Sequence, residues 1–162
     1  MYMYPTTLVF PVVGQPVQKM LLGMKKVRFG RGKYNGFGGK ADAGESIRAA
    51  AVRELREESG LIAREEDLEF VGRLWFYFPA KPEWDHSGDI YFLRSWEGQP
   101  VESEEMQPAW FDAVKIPYEE MWEDDICWLP QVLAGEKIFA DVIFAEDNEG
   151  MAEFRLRAAE PE

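Results

Sequence analysis

Apolar runs and turn-forming stretches alternate along the chain and sort it into strands, two helices and a few loops. Residues 6–13 and 19–27 have the β-branched and apolar character of strands. Residues 29–40 break that pattern with Gly30, Gly32, Gly36, Gly38 and Gly39, predicting a loop. Residues 46–59 place apolar side chains at helical spacing and stop at Gly60, which suits the left-handed residue after a helix. Residues 68–78 form a β-rich aromatic run, and 89–96 read as another strand. Residues 98–107 read as an acidic loop, and 118–133 as a helix broken near Pro130. Residues 137–145 and 151–157 flank 146–150 as the arms of a hairpin. Strands mixed with two helices predict an α+β fold, with a mixed-sheet sandwich as its arrangement.

The helix at 46–59 carries the chemistry. At about 100° per residue, with Ile47 at zero, Ala51 falls near 40°, Leu55 near 80° and Ala50 near −60°. On the same arithmetic Glu54 falls near −20°, Glu58 near 20° and Glu57 near −80°, so glutamates lie within the apolar stripe. Arg48, Arg53 and Arg56 sit at its margin or behind it. Glutamates at i, i+3 and i+4 repel one another, and burial raises their pKa values unless a cation compensates. A solvated acidic face is the simpler reading of a Glu-rich helix, but it leaves glutamates on the core side unexplained. Carboxylates partly withdrawn from water suit Mg²⁺ or Mn²⁺, hard cations that take oxygen ligands. The glycines before the helix let backbone approach a ligand closely. The stretch is not a Walker loop, because Tyr34 stands at the first glycine and Ala41 at the Ser/Thr position.

Length and charge narrow the remaining choices. At 162 residues the chain predicts one domain, 1–162. Eighteen basic residues against 30 acidic give a net charge of −12, which disfavours duplex nucleic acid as a partner. The apolar stretch from Leu8 to Val13 is too short to span a bilayer, and no cation precedes Lys19 as a secretory signal would require. No membrane partner and a cytoplasmic location are therefore expected. A single cysteine, Cys127, and a single histidine, His86, exclude an internal disulfide and a multi-histidine metal site. His86 is expected on a surface loop, and Cys127 buried between its neighbours.

Gly39, Glu45, Arg53, Glu54, Leu55, Glu57, Glu58, Gly60 and Leu61 fit the pattern G-x5-E-x7-R-E-U-x-E-E-x-G-U, with U apolar, without exception. This resembles the signature box of the Nudix hydrolase family. The resemblance implies the Nudix fold, a mixed β-sheet sandwiched between helices. It also implies Mg²⁺-dependent hydrolysis of a nucleoside diphosphate linked to another group. Further blocks, at 21–26, 35–40, 100–106 and 121–125, resemble the animal-type oxidised-purine triphosphatases of that family, which act on 8-oxo-dGTP and 2-hydroxy-dATP.

By that resemblance Glu54, Glu57 and Glu58 hold metal, helped by the Gly38 carbonyl and by Glu105 from the acidic loop. Glu54 or Glu58 serves as the base. Glu45 and Arg53 form a structural ion pair, and Lys40 and Lys25 meet the phosphates of a nucleoside triphosphate. Asn35, Asp124 and Asp125 read the purine, Trp122 stacks on it, Phe29 and Phe76 line the slot and Thr7 stands at its edge. Taken alone, Asp124-Asp125 reads as a solvated turn and Trp122 as core. Neighbouring aspartates facing one base can share a proton, and a neutral Asp can donate where an ionised one only accepts.

Two positions and one segment depart from that branch: Tyr34 stands where it has Trp, Glu123 where it has Pro, and 79–88 is longer and different. Two other readings stay open at this point. One is a broad pyrophosphatase acting on ordinary nucleotides, ADP-ribose or dinucleotide polyphosphates. The other is a non-catalytic nucleotide-binding module. A monomer is expected.

Overall fold

The computed structural model describes residues 3–162. Eight strands and two α-helices follow in the order β1 (Tyr4–Val13), β2 (Lys19–Lys25), β3 (Tyr34–Asn35), α1 (Ile47–Ser59), β4 (Leu68–Tyr77), β5 (His86–Leu93), β6 (Met106–Asp112), α2 (Asp125–Leu133), β7 (Ile138–Phe144) and β8 (Met151–Leu156). The strands form one sheet in the order β3-β2-β1-β5-β4-β7-β8, with β6 paired to β2. β1 runs parallel to β5, and β4 parallel to β7, while the other pairings are antiparallel. The sheet is therefore mixed, as the α+β reading expected.

Alternation along the strands builds a core on each face. Phe10, Met20, Leu22, Ile90, Phe92 and Val142 pack with Trp128, Leu129 and Val132 of α2. Val9, Leu21, Tyr91, Leu93 and Phe139 pack on the other face with Ala51 and Leu55 of α1. The sheet is thus held between the two helices. α1 begins where the sequence places it: the Ser46 side chain accepts a hydrogen bond from the Ala49 N–H at 3.1 Å. It ends at Gly60, whose φ of 80° is left-handed.

Four expectations are corrected. β6 begins at Met106, inside the predicted acidic loop, and runs to Asp112. It is an edge strand whose side chains after Met106 are half-exposed or exposed, so it lacks the apolar alternation that marks a strand from sequence. α2 starts only at Asp125, after a 3₁₀ turn at Tyr118–Glu120, and continues through Pro130. Pro130 leaves the carbonyl four residues back, on Ile126, without its helical donor, and Ile126 is 56% exposed. Cys127 is half-buried rather than buried. His86 is not on a surface loop: it opens β5, paired in register with Tyr4 of β1 and Phe76 of β4.

Candidate active site

The first residues of β1 and β5, the last of β4 and β7, and the start of α2 share one end of the sheet. There they enclose a cleft of about 490 Å³, a size suited to a nucleotide. The glycine-rich segment closes its near side. Residues 37–39 lie extended against β1: the Thr7 and Val9 amides donate to the Gly39 and Phe37 carbonyls at 3.0 and 2.6 Å. Those bonds leave the Gly38 carbonyl outside the ladder. No side chain fits at Gly38, since a Cβ there would stand 1.8 Å from the Thr7 carbonyl oxygen. At Gly39 a Cβ would meet the Glu54 carboxyl at 2.8 Å. Glycine is what brings this backbone against the α1 glutamates.

Glu58 is 3% exposed, and its carboxylate accepts a hydrogen bond from the Gly38 N–H at 2.9 Å. Burial pushes its pKa up to about 8, opposed by that bond and by Lys25 and reinforced by the charges of Glu54 and Glu105. Burial also raises Glu54, with Arg53 holding it down and Glu57 and Glu105 adding to the rise. Arg53 is the organiser of this region. It forks onto Glu45 at 2.8 and 2.9 Å, reaches Glu54 at 3.0 Å and Glu57 at 3.3 Å, and bonds the Lys40 carbonyl. The fork holds Glu45 down at about 2, so the Glu45–Arg53 pair expected from the sequence is present.

The structure brings Glu54 and Glu58 together at Gly38–Gly39 but does not gather the other two acids onto them. Glu57 is exposed and tied to Arg53, and Glu105 is tied to Arg28 at 3.1 Å. Among the described residues no three acidic side chains converge as a closed metal cage. The donor chemistry nevertheless fits a hard divalent cation. Two carboxylates are held together against their own repulsion, beside a backbone carbonyl free of the β1 ladder.

The far wall is built by the start of α2. Asp124 and Asp125 are both 3% exposed and both face the cleft. The Trp128 indole N–H donates to Asp124 at 2.9 Å, while Oδ2 of Asp125 is buried with no partner. Burial raises both carboxyls, and each acts on the other, so the pair favours holding a proton between its two members. Asn35 accepts from the Gly36 N–H at 2.8 Å through its side-chain oxygen, leaving its NH₂ to donate into the cleft. Trp122 stands beside Phe29 with ring centroids 5.0 Å apart, and Phe78 stacks on Phe144 at 4.2 Å. Phe29 is nearly half exposed yet also meets Phe78 and Trp84.

Thr7, Lys25, Phe29, Asn35, Gly38, Lys40, Glu58, Phe76, Trp122, Asp124 and Asp125 all line this cleft. Glu54 abuts it at Gly39, and Glu57 and Glu105 lie outside. Sequence reasoning missed Tyr4, Arg28, Lys33, Phe78 and His86, which also line it. Lys33 had a usable signal: it stands two residues before Asn35, on the same side of an extended segment. Its ammonium lies 5.1 Å from the Trp122 ring centroid.

Comparison with known proteins agrees with this architecture. The chain is 44% identical over 144 residues to the oxidized purine nucleoside triphosphate hydrolase of Danio rerio, covering 88% of each chain. It is 42% identical over 146 residues to the protein of that name from Mus musculus, covering 90% of each. In structure it resembles a MutT protein of Bacillus halodurans with a TM-score of 0.80 at 23% identity, covering 95% of this chain and 97% of the other. The family model of the NUDIX domain matches residues 5–132, and the chain belongs to the Nudix hydrolase family, whose members work with divalent metal ions.

Proposed function

We propose that this enzyme hydrolyses oxidised purine nucleoside triphosphates, of the 8-oxo-dGTP and 2-hydroxy-dATP type, to the monophosphate and pyrophosphate. One observation carries the reading: two adjacent buried aspartates form a polar wall of an aromatic cleft that Glu58 also lines. Such a pair, with the Asn35 amide, offers a purine edge both donor and acceptor, and moving the proton adapts it to either oxidised base. The names of the Danio rerio and Mus musculus relatives support the same substrate class.

In this reading Trp122 and Phe29 hold the base, and Lys25 and Lys40 meet the phosphates. Glu54, Glu58 and the Gly38 carbonyl would hold Mg²⁺, or Mn²⁺ in its place, and Glu57 and Glu105 would join them by exchanging Arg53 and Arg28 for the metal. When bound, the metal neutralises the triphosphate and acidifies a water. Glu54 or Glu58 takes the proton from the attacking water, and the Glu45–Arg53 fork keeps the glycine loop against α1 while this happens.

The test is turnover of 8-oxo-dGTP, 2-hydroxy-dATP, dGTP and ADP-ribose with Mg²⁺, reading pyrophosphate and monophosphate. A strong preference for an oxidised purine is expected. Equal or faster cleavage of dGTP or ADP-ribose would leave a Nudix hydrolase but remove this substrate assignment.

A further inference from the structure

His86 is the one histidine of the chain, and nothing in the proposed chemistry uses it. Its position is nonetheless a built one. It is the middle of three neighbours across adjacent strands, Tyr4 on β1, His86 on β5 and Phe76 on β4. The three rings stack as a row: Tyr4 and His86 have centroids 5.3 Å apart at 21°, and His86 and Phe76 4.8 Å apart at 29°. Both faces of the imidazole are therefore covered by neighbouring rings, and only its edges remain for polar contact.

One edge is already committed. Nδ1 lies 2.8 Å from the Trp84 carbonyl oxygen. A carbonyl can only accept, so Nδ1 carries the proton. Burial lowers the pKa of His86, with the Trp84 bond and the charge of Asp85 opposing, so the ring is neutral at pH 7. Nε2 is then a bare acceptor. It has no hydrogen-bond partner among the described residues, and His86 lines the same cleft as Asp124, Asp125 and Asn35. A fixed, neutral acceptor held by aromatic packing on a ligand cleft is the kind of placed polar group that can orient a ligand.

The matching donor follows from the chemistry of the proposed substrates, and the inference rests on that reading of the cleft. In the purine reading Asp124, Asp125 and Asn35 are assigned the Watson–Crick edge, whose donors and acceptors such a set can match. That assignment leaves the imidazole edge of the purine to the other residues lining the cleft, His86 among them. In an ordinary purine N7 is an acceptor and would face Nε2 with lone pair against lone pair. Oxidation at C8 places a hydrogen on N7 and turns it into a donor. We propose that His86 is a specificity-determining residue whose Nε2 accepts a hydrogen bond from the N7–H of an 8-oxopurine and disfavours the unoxidised base.

The segment that carries His86, residues 79–88, is one of the places where the sequence departs from the branch it otherwise resembles. In the structure that segment supplies the Trp84 carbonyl that fixes the ring.

His86→Phe keeps the row of three rings and removes the acceptor, and His86→Gln returns an acceptor at similar reach. The quantity to read is the kcat/KM ratio of 8-oxo-dGTP to dGTP, with the ratio of 2-hydroxy-dATP to dATP measured beside it, since neither of the latter has an N7–H. The first ratio should fall about tenfold in H86F, the worth of one lost hydrogen bond and one relieved repulsion. H86Q should lie between H86F and the wild type. Thermal unfolding of both variants identifies one that is merely misfolded, in which case the other gives the reading.

If the 8-oxo ratio is unchanged in H86F, or if both ratios fall together, the assignment of His86 is wrong while the substrate class stands. If the wild type itself shows no preference for 8-oxo-dGTP over dGTP, the substrate class fails and this inference fails with it.

Discussion

Two carboxylate pairs border one cleft, and burial pushes all four groups toward their protonated forms, yet the neighbours of the two pairs differ. Asp124 and Asp125 sit at the start of α2 against core side chains. Asp124 is bonded by an indole N–H, while Oδ2 of Asp125 has no partner and burial favours a proton on the pair. Glu54 and Glu58 sit on α1 beside Lys25, Arg53 and a backbone amide, which partly support their charge without balancing it. The first arrangement suits reading a base by exchanging a proton, and the second suits receiving a cation. Carboxylates withdrawn from water suit different work where their neighbours differ.

The largest effect should come from breaking the α1 pair. Glu58→Gln should lower kcat by about a thousandfold or more, as expected for loss of a group serving as base or metal ligand. The same change should stabilise the metal-free protein at pH 8. Glu58 is raised to about 8 from the ordinary glutamate range, so its contribution to folding is favourable below pH ~4.5 and is lost as pH rises toward 8. With EDTA present, Tm should therefore fall between pH 5 and pH 8 in the wild type and fall less in Glu58→Gln. Asp125, also raised, contributes with the same sign. Mg²⁺ is what separates the two pairs: it should recover the Glu58 part of the lost Tm at pH 8 and leave the Asp125 part. Equal recovery in wild type and Glu58→Gln would remove the distinction.

Next in size is Gly38→Ala. The added Cβ would stand 1.8 Å from the Thr7 carbonyl, so segment 37–39 must leave β1. That displaces the amide bonded to Glu58, and a stability loss of about 1–3 kcal/mol with a loss of turnover is expected. Thermal unfolding and a steady-state assay on one sample check both.

On the α2 side the effects should be smaller and selective. Asp125→Asn fixes one hydrogen-bonding state where the acid has two. It should change the kcat/KM ratio of 8-oxo-dGTP to 2-hydroxy-dATP by about tenfold with little change in Tm. Asp124→Ala strands the buried Trp128 indole and should instead lower stability by about 1–3 kcal/mol. A variant pair showing the reverse assignment would mean that Asp124, not Asp125, is the group that exchanges the proton.

How legible these features were in the sequence tracks how local they are. α1, its cap and its Gly60 stop are written in adjacent residues, and so is the placing of glutamates in its apolar stripe. The two-faced core follows from alternation in β1, β2 and β5. β6 was not legible, because an edge strand with half-exposed side chains and Pro108 carries no periodic signal. His86 was misplaced because Asp85, Ser87 and Gly88 around it are turn formers by composition, and its strand pairing is with residues far away in sequence. The aspartate pair read by itself as a solvated turn. Only packing against Trp128 and the core shows it buried.

The smallest expected effect tests the ground between the two walls. Lys33 has its ammonium 5.1 Å from the Trp122 ring centroid, on the ring that the purine reading assigns to stacking. A cation on one face of an aromatic ring stabilises it there by about 0.5–1 kcal/mol at a partly exposed site. Lys33→Met keeps a flexible apolar stem of similar length and removes the charge. If Lys33 serves only to hold Trp122 in place, KM should rise by about two- to fivefold for every purine triphosphate alike, with kcat and base preference unchanged. If it instead meets the triphosphate, the loss should shrink for the nucleoside diphosphate and grow at low ionic strength, where unscreened charge counts most. A salt series on the variant and the wild type separates the two, and the first outcome would assign Lys33 to the base-reading wall.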